Sequence, residues 1–435
     1  MFEFCKILRN VRKEGTEMSK RKNIMDKKVN RRSFLKGTLI AGTTTLITGF
    51  PNITRAQKEV KIGVIYPTSG VLGMIGRDMN RGVEVACEEI NQAGGIKSLG
   101  GTKLVPIFAD SEGKPEVGMA AAEKLIQQGV SCLYGCYQSA VTFATTQIGE
   151  KYKTPHIVAF ATSDKITERG FKYTFRIIAP ASKCAKDQTD FIIYMAEKTG
   201  VKPKTAAFIY ENTLFGQTSS GYQKIEAKKA GLEIVEDISY PADVQDLTSE
   251  ISKLKAKKPD IVYRTCYLND AILITKTMYE LKFHSMCQMG YSGETMLRYI
   301  DALGKLANYV FAIEMWSPRM KVPGAPETDM RFKKRYGVEM DSRPAGSYAP
   351  VFMLKEALEK ARSSDREALR NALSKLEIGA GEKGNIMPYG VKFDENGQNT
   401  IGFYPIAQIQ DEQVQIVHPE RIGNRKPIWP APKPF

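Results

Sequence analysis

The sequence predicts an α/β protein built as two lobes, each wound around a parallel β-sheet. Three observations carry this. From Val60 onward short β-branched runs alternate with helical apolar periodicity, the pattern of successive βα units on a parallel sheet. The alternation runs for about 120 residues and then restarts, which suits two sheets of four or five strands better than one large sheet. The roughly 378 residues that follow the N-terminal segment are enough for two domains of ~100–200 residues each.

The elements follow in order. Val60–Tyr66 is a strand with no room for charge on its inner face. Met79, Val83, Ala86 and Ile90 recur at three- and four-residue steps, giving a helix that stops at Asn91-Gln-Ala-Gly-Gly95. Strand Leu104–Asp110, helix Pro115–Gln128, strand Val130–Gly135, a helix from about Ser139 to Lys153 and strand His156–Ala159 complete the first series. The second begins with a helix from Ala181. Strand Thr205–Tyr210, helix Gly216–Ala230, strand Leu232–Ser239, helix Leu247–Lys257 and strand Asp260–Thr265 continue it. Helix Asp270–Leu281 and strands Met286–Met289 and Tyr309–Glu314 close it.

Beyond Trp316 the pattern turns helical, at Glu327–Tyr336, Ala349–Ala361 and Asp365–Leu376, with late β segments at Val391–Phe393 and Gly402–Gln410. Each βα series is one or two strands short without this tail, so the chain should cross between lobes more than once. Lobe one is expected from 58–178 plus 317–390, and lobe two from 180–315 plus 391–420. Residues 421–435 form a proline-rich extended tail.

Residues 1–57 read as an export leader. Asn30-Arg31-Arg32-Ser33-Phe34-Leu35-Lys36 precedes an uncharged run and the small residues Thr54 and Ala56, the order expected of a twin-arginine signal and its cleavage site. Gly37–Phe50 is too short to span a bilayer and is diluted by five threonines and three glycines. No cysteine near the cut offers a lipid anchor, and Met18 and Met25 are alternative starts. The expectation is a soluble protein working in the periplasm.

The leader also accounts for most of the charge. It holds 13 of the 63 Lys+Arg and 4 of the 48 Asp+Glu, which leaves 50 basic against 44 acidic residues, a net +6. Those charges are interspersed, so the composition does not argue for nucleic acid. Cys87, Cys132, Cys136, Cys184, Cys266 and Cys287 match no metal-binding spacing. Cys132 and Cys136 lie on one apolar run and ~13 Å apart along a strand, too far to bridge directly. The cysteines read as buried packing thiols, and no metal or cofactor is expected.

Catalysis finds little support. His156, His284 and His418 are the only histidines, and two of them fall at element ends where structural roles suffice. There is no Gly-x-Ser-x-Gly elbow and no phosphate-cradling Gly-x-x-x-x-Gly-Lys. The loops after the strands say more, because open α/β sheets take ligands beyond the carboxyl ends of their strands. Gly135-Cys136-Tyr137-Gln138-Ser139 turns into a helix that opens with a hydroxyl, so Ser139 and its neighbouring N–H groups can meet an anion, although an ordinary helix cap would use the same residue. Phe160-Ala161-Thr162-Ser163-Asp164 repeats the arrangement after the fourth strand. Two such loops side by side would grip a carboxylate without an arginine.

At this point the chain resembles a family. Tyr66-Pro-Thr-Ser-Gly70, Gly76, Glu88-Glu-Ile-Asn91-x-x-Gly-Gly95, Asp110-Ser111, Gly135-x-x-x-Ser139-x-x-Thr142, Pro155-x-Ile157, Ala161-Thr162 and Lys392-Phe393-Asp394-x-x-Gly397 look like the substrate-binding proteins of branched-chain amino-acid-type ABC transporters, the Leu/Ile/Val-binding protein family. The match runs in order over about residues 58–410. It implies a type I periplasmic binding protein: two Rossmann-like lobes joined by a three-segment hinge, closing on one small solute. It further implies that Ser139 and Thr162 hold a ligand carboxylate and that the Phe160 carbonyl accepts a ligand ammonium. From the second lobe, Phe215 would close over the ligand, with Tyr267 on the next ligand-facing loop. Departures accompany the match. Where the family's amino-acid binders place a carboxylate, this chain has Ser292, with Glu294 two residues on. Ile75 stands where an aromatic often lies. Gln138 replaces a cysteine of the family's disulfide near the carboxylate loop.

The leading expectation is a monomeric, non-enzymatic receptor that captures a small carboxylate-bearing solute, an amino acid ahead of other acids, and delivers it to an ABC transporter permease. An aromatic or aliphatic acid lacking an amine, or an amide or urea, is the alternative ligand. A ligand sensor docking on a membrane signalling partner is the alternative class, which neighbouring permease or kinase genes would discriminate. An exported enzyme is a weaker third.

Overall fold

A computed structural model describes residues 59–433 of the protein. The expected export leader therefore lies outside the described residues. In the first lobe, strands β1 (Glu59–Tyr66), β2 (Lys103–Asp110), β3 (Cys132–Gly135), β4 (His156–Val158) and β5 (Thr174–Arg176) form one sheet in the order β2-β1-β3-β4-β5, all parallel. Val64, Ile65 and Tyr66 on β1 are fully buried, as both faces of a parallel sheet must be when helices cover them. The covering helices are α1 (Gly73–Gln92), α2 (Pro115–Gln127) and α3 (Ser139–Lys151).

Helix α4 (Ala181–Thr199) carries the chain into the second lobe. There β6 (Thr205–Glu211), α5 (Leu214–Lys229), β7 (Glu233–Tyr240), α6 (Thr248–Lys257), β8 (Ile261–Thr265), α7 (Leu268–Glu280), β9 (Cys287–Gly290), α8 (Leu297–Leu303) and β10 (Phe311–Ile313) follow. The tail supplies helices α9 (Ala325–Tyr336), α10 (Ser342–Ala361) and α11 (Arg366–Leu373), the short pair β11 (Glu377–Ile378) and β12 (Val391–Lys392), and the hairpin β13 (Ile406–Gln410) and β14 (Gln413–His418). The second sheet runs β14-β13-β10-β9-β8-β6-β7, parallel except where β13 and β14 close its edge antiparallel. Both series thus take βα form about a parallel sheet, as the alternation predicts.

Four local differences have physical causes. Strand β5 escapes the sequence pattern because Thr174-Phe175-Arg176 is three residues long and ends in a charge, yet all three are buried. Strand β14 escapes it because glutamines interrupt its apolar positions. Helix α10 begins at Ser342, seven residues before the Ala349 that the sequence suggests, because Ser342-Arg-Pro-Ala-Gly-Ser347 shows no apolar periodicity. Pro344 falls in the first turn, where no N–H is needed, and the Asp341 side chain caps the end by accepting from the Arg343 N–H at 2.9 Å. Finally, β12 pairs with β11, and Gln398 bridges Arg176 at the edge of the first sheet. Residues 391–399 thus sit beside the first lobe, and the chain rejoins the second sheet only at Ile406.

Helix α10 packs along α1, and Gly82 makes that approach possible, since a Cβ there would lie 2.1 Å from the Pro344 carbonyl oxygen. This contact brings the start of α10 to the mouth between the lobes. The extended tail lies on the second lobe: the Trp429 ring packs against Phe311 (centroids 5.9 Å apart), and the Ala431 N–H donates to the Met286 carbonyl. Among the described residues all six cysteines are buried free thiols. Among the described residues no helix is long and apolar enough to cross a membrane.

Candidate ligand cleft

The carboxyl ends of the two sheets face one another across a cavity that leaves about 500 Å³ unfilled by atoms, part of it continuous with solvent. From the first lobe come Tyr137 and Ser139, which follow β3, and Phe160 and Thr162, which follow β4. Ser139 is the first residue of α3 and is buried; its Oγ receives the Ser163 N–H at 3.4 Å, which leaves the hydroxyl proton for another acceptor. The Thr162 Oγ1 is buried without a hydrogen-bond partner. Phe160 stands edge-on to Tyr66 (6.2 Å) and Tyr137 (5.8 Å).

The second lobe answers with rings. Phe215, in the first turn of α5, lies 5.3 Å from the Tyr267 ring and 5.2 Å from the Tyr291 ring. Tyr137 and Tyr267 meet across the cleft at 5.6 Å, and the Tyr137 hydroxyl shares a 3.1 Å hydrogen bond with the Ser292 Oγ. An ion pair between Arg298 and Asp78 (2.9 Å) and a bond between the Ser163 and Thr218 hydroxyls (3.0 Å) also span the lobes. The cleft is closed. Tyr291 and Tyr404 line its floor, and both phenol oxygens are buried without a hydrogen-bond partner. Burial pushes both phenols well above their ordinary pKa, so they are protonated donors.

Two charged side chains reach the cavity. Glu314, just past β10, is 3% exposed, and its Oε1 accepts the Met315 N–H at 2.7 Å. Burial raises its pKa, opposed by Arg343 and by the hydroxyls of Thr295 and Ser342. Burial alone would lower the pKa of Arg343, but Tyr137 and Glu314 hold it above the ordinary value. Its guanidinium donates to the Ser342 hydroxyl (2.6 Å), the Thr295 hydroxyl (3.4 Å) and the Ser292 carbonyl. The two charges offset one another, and hydroxyls and aromatic rings make up most of the remaining lining.

Of the residues expected from sequence, Ser139, Phe160, Thr162, Phe215, Tyr267 and Ser292 come together around the cavity. Glu294 and Ile75 do not. Glu294 is fully buried behind the cleft wall, with its Oε1 3.4 Å from the Arg264 Nε and accepting from the Cys266 Sγ at 3.1 Å. Burial raises its pKa while Arg264 opposes the rise. The 3.4 Å contact is electrostatic, since neither the Arg264 Nε nor the Glu294 Oε2 completes a hydrogen bond. A buried cation on β8 needs an acid, and Gly290 makes room for one, because a Cβ there would lie 2.4 Å from the Glu294 Cδ. Ile75, in the first turn of α1, faces a separate small hollow beside Asp78, Met296 and Arg298.

Sequence reasoning missed Tyr291, Tyr404, Glu314 and Arg343. Glu314 sits at the carboxyl end of a strand, where the same rule that singles out Ser139 applies. Arg343 was hidden because the stretch around it, Ser342-Arg-Pro-Ala-Gly-Ser347, carries no apolar periodicity.

A closing cavity of free hydroxyls and rings between two wound lobes defines a solute receptor. The chain belongs to the periplasmic binding protein family, whose model matches residues 59–413. It is 31% identical over 382 residues to Leu/Ile/Val-binding protein homolog 8 of Brucella abortus (strain 2308), covering 86% of this chain and 94% of that one. Among solved structures, the branched-chain amino acid transporter substrate binding protein LivJ of Streptococcus pneumoniae, in complex with isoleucine, aligns with TM-score 0.71 at 21% identity, covering 82% and 98% of the two chains. A solute binding protein of an ABC transporter from Rhodopseudomonas palustris BisB5, in complex with 3,4-dihydroxy benzoic acid, aligns with TM-score 0.70 at 19% identity, covering 86% and 99%. The fold is that of type I periplasmic binding proteins. Receptors of this family bind small solutes outside the cytoplasm and deliver them to ABC permeases; the chain is such a receptor and not an enzyme.

Proposed function

We propose that this receptor captures an amino acid, holding its carboxylate at Ser139 and Thr162 and its ammonium at the Phe160 carbonyl. One observation carries the carboxylate assignment: buried hydroxyls of Thr162, Tyr291 and Tyr404 face the cavity with no protein partner, and unsatisfied buried donors call for an acceptor. Charge balance favours the ammonium. Among the side chains that line the cavity Arg343 and Glu314 offset one another, so a zwitterion leaves that lining neutral and its ammonium meets a buried acid. Glu314, in place of Glu294, is the acid available to that ammonium. The ring-lined walls formed by Tyr137, Phe160, Phe215 and Tyr267 support a second reading, an aromatic acid, the kind of ligand held by the Rhodopseudomonas protein.

In this reading the two lobes, 58–178 with 317–390 and 180–315 with the later tail, swing about the crossing segments. The protein leaves the cytoplasm by the twin-arginine route and works as a monomer. A thermal-shift screen over leucine, isoleucine, phenylalanine, 3,4-dihydroxybenzoate and small amides tests the ligand class. A ligand at ~100 times its Kd adds ~2.7 kcal/mol of stability. Stabilisation by acids without an amine, and none by amino acids, would refute the amino-acid assignment.

A further inference from the structure

Behind the Phe160–Asp164 loop stands Arg176, the last residue of β5 and fully buried. Its Nη1 donates to three consecutive carbonyls, those of Ala161 (3.4 Å), Thr162 (2.9 Å) and Ser163 (2.6 Å). Its Nη2 donates to the Thr167 hydroxyl at 2.9 Å, and its Nε to the Gln398 side-chain oxygen. Every one of these acceptors is neutral, and among the described residues no carboxylate lies within ion-pair distance of it. The nearest acid, Asp164, has its carboxylate on the Ser182 N–H and hydroxyl. The other two deeply buried arginines keep raised pKa values: Arg264 has the Glu294 carboxylate 3.4 Å from its Nε, and the charge of Arg343, which like Arg176 bonds only neutral acceptors, is favoured by Tyr137 and Glu314. Burial lowers that of Arg176, opposed by Asp164.

The hydrogen bonds also have a directional consequence. In a trans peptide the C=O and the following N–H point in opposite directions. Three carbonyls turned back onto Arg176 therefore turn the N–H groups of Thr162, Ser163 and Asp164 the other way, and that of Ser163 reaches the Ser139 Oγ.

We propose that Arg176 is the positioning residue of the anion site: it aims the loop's N–H groups and the Ser139 hydroxyl at the ligand, and its uncompensated charge makes that end of the cleft select a full carboxylate over a neutral amide. The proposal rests on the carboxylate reading above and adds the source of its charge selectivity. The phenols of Tyr291 and Tyr404, electrostatically close to Arg176, complete the donor set as a second contribution from the opposite lobe and the crossing tail.

The test is calorimetric titration with matched probes: leucine and leucinamide, phenylalanine and phenylalaninamide, 3,4-dihydroxybenzoate and its amide. The wild type should prefer the acid of its binding pair by ~100-fold or more. Removing a charge from a dry site at short range weakens binding of its counter-charge by at least ~10-fold. Arg176→Met should therefore weaken the acid by that factor and the amide less than ~3-fold, with Arg176→Lys restoring most of the preference. Equal weakening of acid and amide would reduce Arg176 to a loop brace and overturn the proposal. Where Arg176→Met does not fold, Gln398→Glu keeps the arginine, sets a carboxylate at its Nε and should lower the acid preference in the same sense; an unchanged preference overturns the proposal. A wild-type protein that takes amides as readily as acids instead overturns the carboxylate reading itself.

Discussion

Replacing Ser139 by alanine deletes one hydroxyl at the cleft end of α3, and the structure separates what that hydroxyl does for the fold from what it does for the ligand. The helix cap position belongs to Gln138, whose side chain makes no capping bond, so Ser139 does not serve as the cap. Its Oγ takes part in one protein contact, a 3.4 Å approach from the Ser163 N–H, at the weak end of hydrogen-bond geometry. The fold should lose no more than ~0.5–1 kcal/mol. Toward a carboxylate, the same hydroxyl makes a bond to a charged group, worth ~1.5–3 kcal/mol, or roughly 10- to 150-fold in Kd. Titration calorimetry on the best ligand of the screen, paired with urea unfolding of the ligand-free protein, reads both quantities. Thr162→Val in the same background should show strong coupling, because both groups would hold one carboxylate. An unchanged Kd in Ser139→Ala, or a loss of stability as large as the loss of binding, would refute the reasoning.

Three further outcomes follow from the geometry. Glu294→Gln should leave ligand affinity unchanged while lowering the unfolding free energy by about 3 kcal/mol in urea, because it strands the buried Arg264; weakened binding with intact stability would return Glu294 to the cleft. Phe215→Ala should speed ligand release in stopped-flow by roughly 10- to 150-fold, from ~1.5–3 kcal/mol of lost ring burial, and an unchanged release rate would remove that ring from the lid. Asp270, 7% exposed and bonded to the Tyr240 hydroxyl at 2.7 Å, is pushed up to about 7 by burial. The folded state then holds a proton that the unfolded state releases near pH 4, so this group's contribution is fully present below that and declines as pH rises toward 7. Asp270→Asn should flatten the fall in unfolding free energy over that interval, and an unchanged slope would exclude Asp270 as its source.

The sheets were legible because their strands are continuous β-branched runs between helices with clear apolar periodicity. Val60–Tyr66 and Asp260–Thr265 could hardly be read otherwise. The first-lobe lining of the cleft was legible for the same reason, since Ser139 and Thr162 follow strand ends. Phe215, Tyr267 and Ser292 of the second lobe also reach the cavity, but its acid was not legible. Spacing alone cannot say toward which side of a loop Glu294 turns, yet Arg264 within Ile-Val-Tyr-Arg-Thr was a signal that some acid must be buried there. Arg343 and the true start of α10 were lost because Ser342-Arg-Pro-Ala-Gly-Ser347 offers no apolar periodicity to mark a helix. Strand β5 was too short to show any period, and with it went Arg176.

The two sheets share a property that no single strand displays. The first lobe is finished by α10, α11 and the 391–399 stretch beside β5, and the second by the hairpin that ends at His418 and the tail bound to Met286. The first sheet has all five strands by Arg176, but the helix that packs along α1 and the stretch that bridges β5 come from the tail, so neither lobe is fully covered until almost the entire chain exists.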